Sequence, residues 1–308
     1  MTNHGNMYGP DFTFLGIERC DLDKPETYKG ADVVIVGAPI DSGTSHRSGA
    51  KFGPQAIRMG DYLPHDGERP HLALRADGLK DIKVVDAGDL IMNGGDLEGS
   101  LKKLAEATEK ISKAGAIAVV LGGDHSIASA DVAGIANHRG KGKISMIHFD
   151  AHADTGADQW GALVGHGTPM RRLIDGGHVR GDRFLQLGLR GYWPDDATLN
   201  WMRDQGMRSY EMTEIHHRGL KSVLDESFAT LTDGCDGVFL SVDIDVVDPG
   251  MAPGTGTPEP GGMTSRELLE AVRRICLELP IVGLDIVEVA PPFDSADITA
   301  ILANRVVL

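Results

Sequence analysis

The sequence has 308 residues, of which 41% are hydrophobic and 24% are charged, values typical of a soluble globular protein. The formal net charge of −15 argues against nonspecific binding to nucleic acid or to anionic membranes, because both need a basic surface. The three cysteines are widely spaced and odd in number, which favours a reducing compartment over a disulfide framework or a zinc knuckle. The N-terminus shows no secretory signal and no apolar run is long enough to span a bilayer, so we expect a cytoplasmic protein.

Short β-branched segments alternate along the chain with longer segments of helical periodicity. Several predicted strands are apolar almost throughout, as are strands that are buried on both faces of a parallel sheet. The predicted strands are residues 31–39, 81–88, 116–123, 144–152, 183–191, 237–245 and 281–291.

Two helices are predicted with particular detail. A helix is predicted within residues 96–113, because the apolar residues there recur at helical spacing: Leu97, Leu101, Leu104, Ala105 and Ile111. A second helix is expected to start at Thr264, which has capping-box spacing with Glu267, and to bury a stripe formed by Leu268, Leu269, Val272 and Ile275. Because strands and helices alternate without a linker or repeat, we expect one α/β domain with a doubly wound, mainly parallel sheet.

Polar motifs follow three of the predicted strands, where ligands of such sheets bind. In "DAHAD" three polar residues lie at positions i, i+2 and i+4, so an extended backbone would point all three the same way, and "SVDID" repeats the i, i+2 spacing. The third motif is "GGDHS". Together the motifs provide six candidate ligands: His125, Asp150, His152, Asp154, Asp243 and Asp245.

Mixed sets of histidine and aspartate suit divalent ions such as Mn²⁺, Zn²⁺, Fe²⁺, Ni²⁺ and Co²⁺. Six ligands exceed what one catalytic ion needs while a coordination position stays open, so they fit two ions that share carboxylates. Four carboxylates and two dications sum to zero charge, which leaves room for one bridging hydroxide. Each motif alone has an ordinary explanation as a turn, a cap or a calcium loop. Together, on successive buried strands, they predict a dinuclear metal centre.

These motifs, with "GTSHRSGAKFGPQAIR" nearer the start, resemble the ureohydrolases, which include arginase, agmatinase, guanidinobutyrase and proclavaminate amidinohydrolase. The resemblance covers about residues 31–303 and implies a three-layer α/β/α fold of the arginase type with a mainly parallel sheet. It also implies a dinuclear manganese centre with the same six ligands, and hydrolysis of a guanidinium to urea and an amine. We therefore expect residues 1–30 to be an N-terminal extension and residues 31–308 to be a single ureohydrolase domain.

A guanidinium is resonance-stabilised, so its carbon is a weak electrophile and its amine leaves poorly. Bound metal ions make hydroxide available by lowering the pKa of water from about 15.7 towards about 7, and Asp154 is expected to aim this hydroxide. The motif "HGTP" matches the family's histidine at His166, the candidate proton donor to the leaving nitrogen. The motif "DIVEVAP" supplies Glu288, the candidate partner of the guanidinium. His148 and Asp248 lie close to the ligands in sequence and are expected either to support them or to be structural.

The loop "TGADQWGALVGHG" bears on the substrate, because arginases carry there the Asn, Thr and Ser that hold an amino-acid head group. The apolar Trp160, Leu163 and Val164 argue against arginine, whose charged head group would be desolvated without partners. We rank agmatine first, with guanidinobutyrate or guanidinopropionate and N-alkylguanidines or biguanides as alternatives. For an acid, Arg171 or Arg172 could meet the carboxylate. The candidate substrate-binding residues are Trp160, Leu163 and Glu288.

Other interpretations stay open. An Asp-His-Asp set also resembles the single-zinc deacetylases, although the additional ligands His125 and Asp154 favour two ions. A non-enzymatic alternative is an inactive or regulatory subunit that stabilises a catalytic paralogue, but such a subunit would be expected to have lost ligands. The family resemblance implies a homo-oligomer, a trimer or hexamer, or else a hetero-oligomer with a paralogue. We expect two divalent ions per chain, with manganese first and nickel as the alternative, and a small guanidino substrate as the partner.

Overall fold

The computed structural model describes residues 12–60 and 70–308, and in this part of the chain eight strands form one sheet. The strands are β1 (Val33–Ala38), β2 (Val84–Asp89), β3 (Ile117–Gly122), β4 (Ile144–Phe149), β5 (Val179–Leu189), β6 (Arg208–Glu211), β7 (Gly237–Asp243) and β8 (Ile281–Val287). Their order is β2-β1-β3-β8-β7-β4-β5-β6, and every neighbouring pair is parallel.

Helices cover both faces of this sheet. In the described residues they are α1 (Gly53–Met59), α2 (Gly78–Asp81), α3 (Leu97–Lys113), α4 (Ala128–Arg139), α5 (Pro169–Asp175), α6 (Asp196–Asp204), α7 (Met212–Arg218), α8 (Leu220–Thr232), α9 (Ser265–Glu278) and α10 (Ile298–Val307). Alternate residues of each central strand enter different cores: Val120 of β3 packs on the side of α3 to α5, and Leu121 on the side of α1 and α8 to α10. The predicted three-layer α/β/α architecture is confirmed.

Most predicted elements match observed ones, and two differences have physical causes. β6 was not predicted, because "RSYE" is a four-residue edge strand with charged residues at both ends and one buried side chain. The strand predicted at residues 183–191 begins earlier, at Val179, because its first half alternates buried and exposed residues and carries charge. The capping box of Thr264 and Glu267 is confirmed at the start of α9.

The strands that carry the "DAHAD" and "SVDID" motifs end earlier than predicted, at Phe149 and Asp243. The expectation that an extended backbone aligns the ligands is therefore wrong. Instead, Asp150 Oδ1 accepts the His152 N–H at 2.6 Å, and Asp243 Oδ1 accepts the Asp245 N–H at 2.8 Å. Because aspartate favours such turns, the chain curls at each strand end and brings residues i and i+2 to the same side.

The described residues before β1 pack against the sheet at β2. Phe14 is buried, and its N–H donates to Asp86 Oδ2 at 2.7 Å. Arg19 forms an isolated parallel bridge with Asp86. Within residues 12–60 and 70–308, no helix combines the length and the apolar character needed to cross a bilayer.

Candidate metal centre

The predicted site residues come together at the carboxyl ends of four adjacent central strands, in the order β3, β8, β7 and β4. His125 lies in a short 3-10 helix after β3, and Asp150 directly follows β4. Asp243 ends β7, and Glu288 directly follows β8. The chain order of these strands differs from their order in the sheet, so the fold gathers segments that are far apart in sequence.

The first group of ligands surrounds the imidazole of His125, which is fully buried. Its Nδ1 atom lies near one oxygen of each of three carboxylates: Asp150 Oδ2 at 3.1 Å, Asp154 Oδ2 at 3.1 Å and Asp243 Oδ2 at 3.3 Å. Among the described residues, no aligned hydrogen bond reaches this nitrogen. A buried nitrogen that faces three carboxylate oxygens requires a proton or a cation between them.

The hydrogen bond at the other ring nitrogen of His125 shows which tautomer the neutral ring adopts. The hydroxyl of Ser241 donates its hydrogen to Asp285 Oδ1 at 2.7 Å. At 2.9 Å from His125 Nε2, this hydroxyl therefore accepts, so Nε2 carries the proton of the neutral ring and Nδ1 presents a lone pair. Burial acts to lower the pKa of His125, but Asp150, Asp154 and Asp243 raise it well above its usual value. The three carboxylates thus favour a positive charge at this nitrogen.

The second group contains His152 and shares a carboxylate with the first. His152 Nδ1 lies 3.1 Å from Asp245 Oδ2 and 3.5 Å from Asp150 Oδ1. Asp150 thus directs Oδ2 to the first group and Oδ1 to the second, as a bridging ligand does. Burial, together with the neighbouring Asp245 and Asp150 carboxylates, raises the pKa of Asp243 well above its usual range. Gathering these carboxylates is costly unless cations compensate them.

The distances fit divalent ions. Neighbouring ligand atoms that lie roughly 2.1–2.2 Å from a shared octahedral ion are roughly 3.0–3.1 Å apart. The contacts of His125 Nδ1 with Asp150 and Asp154, and of His152 Nδ1 with Asp245, are all 3.1 Å. Imidazole and carboxylate donors suit hard or borderline dications. We call His125, Asp150, His152, Asp154, Asp243 and Asp245 the His–Asp cluster.

His148 supports this cluster from behind. The side-chain amide nitrogen of Gln186 lies 3.1 Å from His148 Nδ1, and it donates a second hydrogen bond to the Ala153 carbonyl at 2.7 Å. Because an amide nitrogen only donates, Nδ1 accepts and Nε2 carries the proton. His148 Nε2–H then donates to Asp150 Oδ2 at 2.8 Å and orients this carboxylate. Asp248 instead accepts backbone N–H groups of Gly250 and Gly261 and so holds the loop after β7.

His166 and Glu288 lie together beside the cluster. His166 Nδ1 is 2.9 Å from Glu288 Oε1, which also accepts the backbone N–H of His125 at 2.9 Å. Burial acts to lower the pKa of His166, but the Glu288 carboxylate outweighs it and raises the pKa to about 9. Glu288 Oε2 is buried and has no hydrogen-bond partner among the described residues. Glu288 and Asp154 both have left-handed backbones, with φ of 62° and 52°, a strain that concentrates at functional sites.

The predicted substrate-binding residues of the loop are exposed in this single chain: Trp160 by 82% and Leu163 by 61%. The two arginines considered for a carboxylate tail contact other groups. Arg171 stacks 4.4 Å over the Trp201 ring, and Arg172 donates to Asp175 at 3.2 Å. Both arginines therefore have contacts within the chain itself.

Four residues that contact the site were not singled out from the sequence: Ser45, Gln186, Ser241 and Asp285. For Asp285, a lone carboxylate in the apolar strand "IVGLDIV" was an available signal. Ser241 precedes Asp243 by two positions and so faces the same side of β7. Ser45 and Gln186 gave no such signal, because their roles depend on contacts across long sequence separations.

Comparisons with known proteins agree with this geometry. The Arginase family matches residues 31–308. The chain belongs to the arginase family. Proclavaminate amidinohydrolase of Streptomyces clavuligerus is 39% identical over 90% of this chain and 86% of its own length. Its solved structure superposes with a TM-score of 0.83, covering 98% of this chain and 96% of that chain. Mitochondrial agmatinase of Gallus gallus is 39% identical over 89% of this chain and 78% of its own length.

A third relative, guanidinobutyrase of Pseudomonas aeruginosa, is 36% identical over 91% of this chain and 86% of its own length. Arginase-family enzymes depend on a dinuclear metal centre, and the described residues of this chain contain a buried His/Asp cluster that could hold metal ions. The predictions of a ureohydrolase-type hydrolase, of the arginase fold and of metal binding are confirmed at this level.

Proposed function

We propose that this arginase-family hydrolase cleaves the guanidino C–N bond of agmatine to give urea and an amine. The observation that carries the proposal is the buried lone pair of His125 Nδ1, surrounded by three carboxylate oxygens. The His–Asp cluster would hold two divalent ions, with manganese as the first candidate and nickel as the second. When bound, such ions lower the pKa of water so that a nucleophile is available at neutral pH.

The residues beside the cluster suit a guanidinium. Glu288 Oε1 is held by His166 and by the His125 N–H, whereas the buried Oε2 has no partner among the described residues. A guanidinium N–H would satisfy this oxygen and gain a charge-assisted hydrogen bond. Glu288 would therefore fix the guanidino group over the cluster, and the left-handed backbone at this residue keeps the carboxylate aimed there.

His166 and Asp154 supply the proton chemistry. Because Glu288 raises the pKa of His166 to about 9, the imidazole is protonated at neutral pH and can donate to the leaving nitrogen. Asp154 directs Oδ2 towards His125, which leaves its other oxygen to orient the attacking water. General acid catalysis of this kind contributes on the order of 10²- to 10⁴-fold in rate.

Agmatine is favoured over an acidic substrate by charge. Its second cationic group suits a protein with a net charge of −15, and Arg171 and Arg172, which contact Trp201 and Asp175, give no direct support to a carboxylate tail. Guanidinobutyrate is the second candidate, since a guanidinobutyrase is 36% identical. An N-alkylguanidine or biguanide is the third, supported by the exposed apolar Trp160 and Leu163 of the loop.

We further propose that the protein is cytoplasmic and assembles as a homo-oligomer, with a hetero-oligomer formed with a paralogue as the alternative. The domain would comprise residues 31–308, preceded by an extension of residues 1–30. Sedimentation tests the assembly directly: a trimer or hexamer is expected, and a monomer at all concentrations would contradict it.

The function is tested by urea release after loading with Mn²⁺ and, separately, with Ni²⁺. The substrates are agmatine, 4-guanidinobutyrate, 3-guanidinopropionate, arginine and an N,N-dimethylated biguanide, and His152→Ala is the inactive control. We expect agmatine to give the highest kcat/KM. Higher turnover of guanidinobutyrate or of the biguanide would replace the proposed substrate. No turnover by a protein that has bound both ions would contradict the proposal and favour the inactive-subunit interpretation.

A further inference from the structure

Ser45 makes an unusual double contact with His166. The Ser45 backbone nitrogen lies 3.0 Å from His166 Nε2, and the Ser45 hydroxyl oxygen lies 2.6 Å from the same atom. His166 Nδ1 lies 2.9 Å from Glu288 Oε1. Ser45, His166 and Glu288 thus form one continuous series of hydrogen bonds. Ser45 is exposed, whereas His166 and Glu288 are buried.

The backbone contact determines the tautomer of the neutral ring. A backbone N–H can only donate, so His166 Nε2 accepts it and carries no hydrogen. The ring hydrogen is then on Nδ1, which donates to Glu288 Oε1. When Nε2 gains a proton, the Ser45 hydroxyl can reverse its role and accept, because a hydroxyl both donates and accepts. The backbone N–H cannot reverse, so it opposes protonation at Nε2 while Glu288 favours it.

The loop that carries Ser45 is fixed against the loop that carries His166. The Gly43 N–H donates to Asp124 Oδ2 at 2.7 Å. The Gly43 carbonyl accepts the His166 N–H at 3.0 Å and the Gln159 side-chain amide at 2.8 Å. The two bonds of the Gly43 carbonyl join residues more than 100 positions apart and hold the two loops together. The contact of Ser45 with His166 is therefore built into both loops.

We propose that Ser45 is a positioning and proton-relay residue for His166: its N–H selects the tautomer of the ring, and its hydroxyl carries the proton that leaves Nε2. This inference rests on the proposed function. Both ring nitrogens face a partner, Ser45 at Nε2 and Glu288 at Nδ1. The proton on Nε2 moves to Ser45 Oγ as the hydroxyl proton moves to the leaving nitrogen. The imidazole and serine end neutral, and the product amine has gained one proton.

The test compares Ser45→Ala, which removes the hydroxyl and keeps the N–H, with Ser45→Thr, which restores a hydroxyl. Ser42→Ala is the matched control, because its hydroxyl lies in the same loop and donates to the Gly94 carbonyl instead. With agmatine and Mn²⁺, we expect Ser45→Ala to lower kcat about 10- to 100-fold, at or below the lower end of the range for general acid catalysis, because His166 itself is retained. KM and the affinity for Mn²⁺, measured by calorimetry, should stay within about two-fold, and Ser45→Thr should recover most of kcat.

A second readout does not depend on turnover. In protein labelled with ¹⁵N-histidine and loaded with Zn²⁺, which is diamagnetic, the resonances of His166 are assigned by comparison with His166→Asn. At a pH above the His166 pKa of about 9, where the ring is neutral, wild-type protein should show an unprotonated Nε2 and a protonated Nδ1. Ser45→Ala should shift the Nε2 resonance, Ser45→Thr should restore it, and Ser42→Ala should leave it unchanged.

Different results would contradict the role of Ser45 and the proposed hydrolase function. A Ser45→Ala variant with the kcat of Ser42→Ala, or with an unshifted Nε2 resonance, would overturn the proposal. A loss of kcat that Ser45→Thr does not recover, or that comes with loss of Mn²⁺, would overturn it as well, because it would indicate only a structural role. If wild-type protein releases no urea from any guanidino compound, the proposed function fails, and the ¹⁵N spectra still decide the arrangement of Ser45 and His166.

Discussion

Two clusters of buried charge belong to the same sheet and differ in how they are neutralised. The first, which we call the arginine cluster, consists of Arg58 of α1 with Asp86 and Asp89 of β2. Arg58 Nε and Nη2 each lie 2.9 Å from an oxygen of Asp86, and Nη1 donates to Asp89. Backbone N–H groups of Phe14 and Gly88 complete the coordination of Asp86. The chain itself thus supplies a cation and N–H donors that offset the buried carboxylates of this cluster.

The His–Asp cluster is not neutralised in this way. Its four carboxylates face two imidazoles, and the Nδ1 atom of His125 lies among three of them without an aligned hydrogen bond in the described part of the chain. The difference teaches that buried charge alone does not indicate a site. A cluster completed by protein groups stabilises the fold, whereas one that lacks its counter-charge is prepared for a ligand.

The largest expected effect comes from the carboxylate shared by the two ligand groups. Asp150→Asn keeps the shape of the side chain but removes a bridging charge, so we expect urea release to fall on the order of 10³-fold or more, since metal chemistry supplies several kcal/mol. Metal content per chain, measured by mass spectrometry, should fall as well. Circular dichroism should show an intact fold, and retained turnover with retained metal would exclude Asp150 as the bridging ligand.

A change in the arginine cluster should lower the stability of the fold and leave metal binding unchanged. Arg58→Met leaves buried Asp86 without its guanidinium, so we expect a loss of about 3–5 kcal/mol in the free energy of unfolding. Urea denaturation measures this loss. Added Mn²⁺ should stabilise the variant and the wild type by the same amount, so the difference in the free energy of unfolding should remain. The metal affinity of the folded fraction should equal that of wild type. A selective loss of metal by Arg58→Met would mean that the two clusters are coupled.

A smaller effect is expected behind the bridging carboxylate. His148→Phe keeps an aromatic ring but removes the donor to Asp150 Oδ2, so the affinity for Mn²⁺ should fall about 10- to 100-fold. Calorimetry measures this change. Phe184→Leu is the control, since Phe184 contacts the His148 ring edge-on and its side chain can form no hydrogen bond to a ligand. Equal affinities in wild type and His148→Phe would show that Asp150 needs no such support.

The smallest effect is the pH dependence of the His166–Glu288 pair. Glu288 raises the pKa of His166 to about 9, above the unfolded value of about 6.5. The pair therefore stabilises the folded protein fully below about pH 6.5, and this contribution is lost as pH rises through about 9. In chelator-treated protein, the stability difference between wild type and His166→Asn should shrink over that interval. For Arg58→Met the difference should stay constant, because a guanidinium remains charged. A difference that grows with pH would contradict the assignment for His166.

The sequence predicted the strands of the centre and the capping box of α9, and it singled out the six residues that the fold gathers in the His–Asp cluster, because these features depend on local periodicity and short motifs. It did not predict how the ligands align. The extended-strand explanation failed at Asp150 and Asp243, since their side chains capture the N–H groups of His152 and Asp245 and turn the chain. At these positions the aspartate side chain, rather than a neighbouring strand, accepts the backbone N–H group, and the spacing of residues does not reveal which acceptor is used.

The long-range contacts were also beyond the sequence. Gln186 meets His148 from the neighbouring strand, and Ser45 meets His166 across 121 positions. No periodicity or motif records such pairs, because they arise from the order of the strands and the packing of their loops. The same holds for the arginine cluster, in which Arg58 and Asp86 are 28 positions apart.

The central claim is that the His–Asp cluster lacks its counter-charge and takes two divalent ions. Anomalous diffraction from crystals of the Mn²⁺-loaded protein tests it most directly. The account predicts two peaks per chain, one in contact with His125 and one with His152, with Asp150 between them. A single peak, or peaks that avoid these residues, would contradict it.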